Sequence, residues 1–368
     1  MNLTTLRPPD WINQMLPAPV VSSLTWLWAT AFSIPPAEWL QILYLVEAAL
    51  ILGLTILPDK VKGYLLAYRA RASKTEISKA GNMGNRPGTE DGPAEVDGQQ
   101  EQKVRGTDGL SMREEEDQDD WFAKLIRLVT SWGQIPHSWF GGFYVVSVAG
   151  SIFWLVQHLV DGSILHFLAS WQVAASGPGM EPGQVVLLWA MMFLQGSRRL
   201  LESYLLVRPG SKSTMWIVHW LVGHVYYIML SLTVWIEGSA ILQRKVLSDL
   251  TGLVSPKTVI ATLVYLFAAI SQSQCHEHLA GLKKYSLPTR GAFQFLMCPH
   301  YLFECLLYLA MAVAGAPKGA LCNRTLLCSV LFAGCNLGVT AGVTGKWYKE
   351  KFGADAVKKR WNMIPLVY

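Results

Sequence analysis

The chain has 368 residues, of which 51% are hydrophobic and only 15% charged, with a formal net charge of +5. Soluble domains carry about a quarter charged residues, so a soluble globular protein is excluded. The basic residues lie in loops between long apolar runs, which argues for membrane topology rather than nucleic-acid binding.

An apolar run of about 20 residues crosses the hydrocarbon core as a helix, because lipid offers the backbone no hydrogen-bond partners. The N-terminus lacks the pattern of a cleavable signal peptide, so the first span is expected to act as an uncleaved anchor. Val20 to Ile34 is apolar but short, and reads as an interfacial or re-entrant helix or an additional span. Spans are then predicted at 37–57, 139–161, 184–206, 215–236, 256–273, 300–316 and 325–344. The predicted fold is all-α, a polytopic membrane helix bundle of about seven transmembrane helices.

Between the first two spans, Ser73 to Asp120 is rich in Gly, Glu, Asp, Gln and Lys and nearly lacks large apolar residues. Such a composition cannot offset the entropy of ordering. The predicted organisation is 1–68 as N-terminal segment and first span, 69–121 as a disordered polar insert, and 122–368 as a six-span core with a tail. The run Trp121 to Val129 reads as an amphipathic interfacial helix. Basic residues favour alternate loops, among them Lys60, Lys62, Arg69, Arg71 and Lys74 after the first span. Asp161 to Gln184 has no Lys or Arg. This alternation puts the N-terminus in the lumen and the C-terminus in the cytosol.

Ionisable residues inside a span are costly and mark function by default. Arg199 and Glu202 share a helical face near the end of the third span, beside Arg198 and Tyr204. Gln272 to His278 forms a polar stretch leading to Lys283 and Lys284. His276 and His278 lack the third partner and the spacing of a zinc site. His300 and Glu304, four apart, open the sixth span. The six cysteines read as small buried residues, and no metal is expected. The tail from Lys346 to Tyr368 mixes basic and aromatic residues with an apolar end, and is expected to pack back on the protein. The sequon at Asn323-Arg324-Thr325 lies too close to the bilayer to be glycosylated.

These segments resemble the steroid 5α-reductase family, and its polyprenol reductase branch in particular. Pro136-His137-Ser138-Trp139-Phe140-Gly141-Gly142-Phe143-Tyr144 resembles the branch's P-x-x-[YW]-F-x-H-F-Y, with Gly142 in place of the His. Arg198-Arg199-Leu200-Leu201-Glu202 resembles R-R-L-[YL]-E. Cys275-His276 with Leu282-Lys283-Lys284 resembles C-H…L-[RK]-K. Pro299-His300-Tyr301 with Glu304 resembles S-P-H-Y-x-x-E, and Phe352 to Tyr368 resembles the family's ending. The likeness covers essentially the whole membrane part and leaves out the insert.

The resemblance implies an NADPH-dependent reductase of a carbon–carbon double bond in a lipid. Its cofactor-side residues would be Arg199, His276, Lys283, His300, Glu304 and Tyr348, and its catalytic residues Glu202, Tyr144 and Glu304. It further implies a long-chain isoprenoid substrate, residence in the endoplasmic reticulum membrane, and a place in dolichol synthesis supporting protein N-glycosylation. Hydride adds readily only where the developing charge can be held, as on the oxygen of an α,β-unsaturated carbonyl. The aldehyde, polyprenal, is therefore expected to be the direct substrate rather than the alcohol, with Tyr144 and the Arg199–Glu202 pair as candidates to polarise it. Alternatives from the same residues are a reductase of a steroid or another enone or enoyl lipid, a transporter, and a non-catalytic scaffold.

Overall fold

A computed structural model describes residues 18–58, 61–62, 65, 121–175, 179–206, 214–243, 252–283 and 286–368. The polar stretch from Ser73 to Asp120 lies outside the described residues. The chain divides into two compact units, a smaller one of 57–137 and 212–218, and a larger one made of the rest.

Within the smaller unit, α3 (Trp121–Ser131) carries Trp121, Leu125 and Leu128 exposed along one stripe. This is the amphipathic helix predicted there. A short strand β1 (Gln134–Pro136) pairs antiparallel with β2 (Thr214–Trp216), placing Ile135 opposite Met215. Gly133 turns the chain at φ 67°, and a Cβ there would come within 2.7 Å of Ile217. Only glycine fits that approach without strain.

The described residues of the larger unit are mostly helical. Its elements are α1 (Ala18–Ser33), α2 (Pro36–Leu54), α4 (Gly142–Leu159), α5 (Ser163–Ala175), α6 (Pro182–Leu205), α7 (Ile217–Ile236, from His219 onward), α8 (Ser239–Gln243), α9 (Pro256–Gly281), α10 (Pro299–Ala314), α11 (Arg324–Phe352) and α12 (Ala354–Val357). Four of these helices start on a proline in their first turn, where its missing N–H costs nothing. Pro35 and Pro36 separate α1 from α2. At 16 residues, α1 is about 24 Å long, shorter than the hydrocarbon core.

Among the described residues, five helices are long and apolar enough to cross a membrane: α2, α4 with its preceding turn, α7, α9 and α11. The other two predicted spans are helices as well. α6 is 24 residues long but carries Arg198, Arg199 and Glu202 near its end, and α10 has 16 residues. Two predicted spans were drawn short. α9 continues past Ser273 to Gly281, and α11 past Thr344 to Phe352. Hydropathy fails where polar residues begin, but a helix continues if their side chains find partners.

The principal helix pairs are α9 with α10, α11 with α2, α10 with α11, and α6 with α4. Small residues permit the close approaches, as where Gly196 of α6 lies against Ser147 of α4. Tyr44, Leu188, Met192, Leu230, Leu307 and Met311 are fully buried between the helices, and the leucines and valines facing outward remain exposed. One end of the bundle is closed by side chains that satisfy backbone groups. Gln184 donates to the carbonyls of Ala314 (2.7 Å) and Ala316 (2.9 Å), and Lys257 donates to Ala316 (2.9 Å). Glu237 accepts from the Thr325 amide at 2.9 Å and its hydroxyl at 2.6 Å.

At the other end the tail folds back. Trp361 pairs with Leu296, Met297 N–H donates to Trp361 O (2.8 Å), and Cys298 N–H donates to Asn362 O (3.0 Å). Arg360 donates to Pro288 O at 2.6 Å.

Asn323 gives the sequon a second reason to stay unmodified. Its side chain is wholly buried and caps α11 by accepting the Leu326 amide at 2.9 Å. Asn323→Ala is expected to lower stability by about 1 kcal/mol in denaturant unfolding, and glycosidase treatment of the wild-type chain should leave its gel mobility unchanged.

Candidate active site

Strands β1 and β2 aside, α4, α7 and α10 run opposite to α6, α9 and α11. The start of α4 and α10 and the ends of α6, α9 and α11 therefore meet at one end of the bundle. Tyr144, Arg198, Arg199, Glu202, His276, His300 and Glu304 all sit near those ends, and most are joined there in one hydrogen-bonded network.

Glu202 is its centre. Its two carboxylate oxygens separately take Arg198 and Arg199, which lie four and three residues before it on the same helix. His276 of α9 brings Nδ1 to 2.8 Å from Glu202 and 2.7 Å from Arg199. A single ring nitrogen can donate to the carboxylate or accept from the guanidinium, but not both at once, so the imidazole tautomer sets which bond forms. The second Nη of Arg199 donates to the Tyr144 hydroxyl at 2.6 Å, and its Cζ stands 4.7 Å from the Tyr144 ring centroid. With its oxygen held by Arg199, the Tyr144 hydroxyl keeps its own proton free to donate.

Two glutamines extend the network to the second acid. Arg198 donates to Gln195 Oε1 (2.7 Å) and to Gln272 Oε1. Gln272 donates in turn to Glu304, and Gln195 donates to Glu304 at 3.2 Å. Both glutamines are nearly fully buried. Two guanidiniums thus face two carboxylates, so the formal charges balance, as charges withdrawn from water must.

The remaining predicted residues lie around this centre. His300 is one turn before Glu304, with its ring 5.8 Å from that of His276 and 6.0 Å from Phe293. Its Nδ1 is buried without a hydrogen-bond partner. Tyr348 is buried with Met297, Cys298 and Met363, where the tail returns, outside the Glu202 network. Lys283 is exposed just beyond α9 and also outside it. From the sequence, Arg198 and Gln272 fall within polar groups singled out but carry no assigned role, and Gln195 is missed. The signal available was a carboxamide or charge in the middle of an apolar run, three or four residues from a residue already suspected.

Gly142 has a local explanation. A Cβ there would stand 3.1 Å from Nε2 of His224, whose ring already fills that space, tilted at 47° against Trp220 and hydrogen-bonded through Nδ1 to the Trp220 carbonyl at 2.7 Å.

The smaller of two cavities among the described residues is lined by members of the network. One, of about 740 Å³, is lined by polar groups that include Gln274, Glu277, His278 and Arg290, with Cys275 and Phe293. The other, of about 400 Å³, has Arg198 and Glu202 among the leucines 194, 201, 205 and 206. Among the described residues no group of three or more His, Cys, Asp or Glu could hold a metal ion.

Glu202→Gln would leave two guanidiniums without the carboxylate that binds both directly, with Glu304 alone to balance them. We expect it to lower stability by about 3 kcal/mol in denaturant unfolding. Adding Arg198→Gln should restore part of that loss, since the two substitutions touch one interaction.

Residues 213–368 match the family described as 3-oxo-5-alpha-steroid 4-dehydrogenase, whose name is that of the reverse of a 5α-reduction. The chain is 29% identical over 259 residues to the polyprenal reductase of Xenopus laevis, covering 64% of this chain and 79% of that protein. It is 26% identical over 254 residues to the polyprenal reductase of Homo sapiens, covering 64% and 78%. It is 25% identical over 268 residues to polyprenal reductase 1 of Arabidopsis thaliana, covering 64% and 82%. By these matches the chain is similar to the 3-oxo-5-alpha-steroid 4-dehydrogenase family over residues 213–368 and to polyprenal reductases over 64% of its length.

Proposed function

We propose that the chain is an NADPH-dependent oxidoreductase that saturates the α-isoprene double bond of polyprenal in dolichol synthesis, and so supports protein N-glycosylation. The observation that carries this reading is the charge-balanced network of Arg198, Arg199, Glu202 and Glu304 with Tyr144 and His276, at one end of an apolar bundle similar to the polyprenal reductases. The alternating basic loops put that end on the cytosolic face of the endoplasmic reticulum membrane, with the N-terminus lumenal.

The residues present fit a dinucleotide phosphate. Arg290 and His278 line the larger cavity, His300 Nδ1 is buried and unpaired with its ring 6.0 Å from that of the lining Phe293, and Lys283 follows Leu282 of the lining. NADPH would supply hydride to the substrate. Arg199, His276, His300 and Glu304 would hold and orient it, and Tyr348 would back that end of the bundle. Lys283 and Arg290 would meet its phosphates. Lys283 would do so as a point charge rather than a bidentate fork.

The chain's own groups have distinct tasks. Glu202 fixes both arginines and the His276 ring. Arg199 holds the oxygen of Tyr144, so the phenol offers its proton to the substrate α-carbon once the β-carbon has been reduced. Glu304, anchored by two glutamines, stands between the cofactor-side His300 and the bundle interior. The isoprenoid tail would run out to lipid, since only the head isoprene takes part. A 3-oxo steroid with a conjugated double bond has the same electronics, which makes it the natural comparison substrate.

The test is the purified full chain in lipid with NADPH and, separately, polyprenal, polyprenol and a 3-oxo-4-ene steroid. Polyprenal alone should be saturated efficiently; efficient turnover of pure alcohol, or a preference for the steroid, would overturn the assignment. In cells, deleting the gene should raise unsaturated polyprenoids and lower dolichol by mass spectrometry. Wild type should reverse this and Glu304→Gln should not.

A further inference from the structure

The wall of the larger cavity that carries Arg290 is a short stretch between α9 and α10. Thr289, Arg290 and Gly291 are exposed, and Gly291–Gln294 forms one tight helical turn. Inside the stretch the backbone bonds are local, Phe293 N–H to Arg290 O at 3.2 Å and Leu296 N–H to Ala292 O at 3.0 Å. Its hold on α9 is weak, since the amides of Thr289 and Arg290 stand 3.4 Å from His278 Nε2. An exposed loop built this way samples many conformations unless its ends are fixed.

Both ends are fixed, and by one element. The Arg360 guanidinium donates to Pro288 O at 2.6 Å, immediately before the stretch. Trp361 N–H donates to Phe295 O at 2.9 Å, immediately after it. The carbonyls of Trp361 and Asn362 then take the amides of Met297 at 2.8 Å and Cys298 at 3.0 Å. Consecutive tail residues thus hold positions 288 and 295–298, with the cavity wall strung between them. Pro288, Met297 and Cys298 are buried, and the first tie is charge-assisted. The tail is itself locked, although chain ends usually fray. Tyr368 O accepts the amides of Met363 and Ile364, both at 2.9 Å, and Tyr368 N–H donates to Ile364 O at 2.9 Å. Closing that turn holds Leu366 at φ 63°, which a leucine adopts only under constraint. The turn lies against glycines of α11. A Cβ at Gly342 would collide with the Tyr368 hydroxyl, and one at Gly345 with Asn362 Oδ1, with Met297 Sδ 3.1 Å away.

We propose that the C-terminal tail is a strap that sets the wall of the larger cavity, with Arg360 as the positioning residue that places Arg290 for a dinucleotide phosphate. The inference rests on the reductase reading for the identity of that ligand, and names what holds its site in shape. Arg360 acts through the Pro288 carbonyl and does not itself touch the ligand. Its loss therefore weakens binding of the cofactor and leaves the Glu202 network, on α6 and α9, as it was. Gly345 acts on the same strap from the other side without carrying charge. That separates placement of the wall from any direct attraction of a phosphate to the Arg360 cation.

The test uses the purified full chain in lipid as wild type, Arg360→Ala, Arg360→Lys and Gly345→Val. Amide hydrogen exchange is followed peptide by peptide, NADPH affinity is measured by its fluorescence, and melting temperature and kcat with polyprenal are recorded on the same samples. Arg360→Ala and Gly345→Val should each speed exchange in the peptide covering 289–295 and weaken NADPH about tenfold, the loss of one charge-assisted hydrogen bond. Their kcat at saturating NADPH should stay at the wild-type value. Arg360→Lys keeps a donor and the charge and should recover most of the affinity. Unchanged exchange at 289–295 in both variants would overturn the proposal. So would faster exchange throughout the chain with a lower melting temperature, or normal NADPH affinity in Gly345→Val beside a loss in Arg360→Ala, which would make the arginine a direct contact. If the wild type binds no NADPH, the reductase reading falls, and exchange at 289–295 still decides whether the tail holds the wall.

Discussion

Charge compensation inside an apolar bundle is the constraint on which the rest of this structure depends. Arg198 and Arg199 could not stand near the end of a helix among lipid-facing leucines unless acids met them there. Glu202 meets both on their own helix, and Glu304 of α10 is reached through Gln272 of α9 and Gln195 of α6 itself. The network therefore fixes the relative placement of α4, α6, α9 and α10, and that placement positions the chemistry. Packing of small residues brings the helices close, but side-chain hydrogen bonds set their register at this end.

The two ends of the bundle use polar groups differently. At one end, Gln184, Lys257, Glu237 and Asn323 bond mostly to backbone carbonyls and amides, sealing helix termini that lipid and short loops leave unsatisfied. At the other, side chains bond chiefly to other side chains, and several buried donors and acceptors remain unpaired. A sealed end is structural. The end rich in paired charges is the one we propose takes the ligand, and the returning tail, held by Arg360 and the Trp361 backbone, packs against residues 288 and 295–298.

Proton placement follows from the same geometry. His276 lies within hydrogen-bond distance of both a carboxylate and a guanidinium through one nitrogen, so its tautomer follows whichever partner dominates. Tyr144 receives a hydrogen bond and keeps its own proton. A phenol so held is positioned to give up a proton when charge develops nearby, without a metal ligand set or a nucleophilic side chain.

The sequence by itself determined the membrane class, the approximate position of every long helix, the amphipathic α3, and the suspicion attached to Arg199, Glu202, His276 and Glu304. Those are consequences of local composition: apolar runs must be helical in lipid, and a charge within one stands out against its neighbours. Only the tertiary structure decided that Glu202 gathers both arginines with His276, that Gln195 and Gln272 carry the link to Glu304, and that His224 fills the space beside Gly142. It also decided that α9 and α11 continue past the apolar runs that announce them. A glutamine or a tyrosine in an apolar run has no distinctive local signature. Its meaning comes from which helix faces it, and that depends on contacts between residues as far apart as Tyr144 and Arg199, or Gln195 and Glu304, which no local pattern encodes.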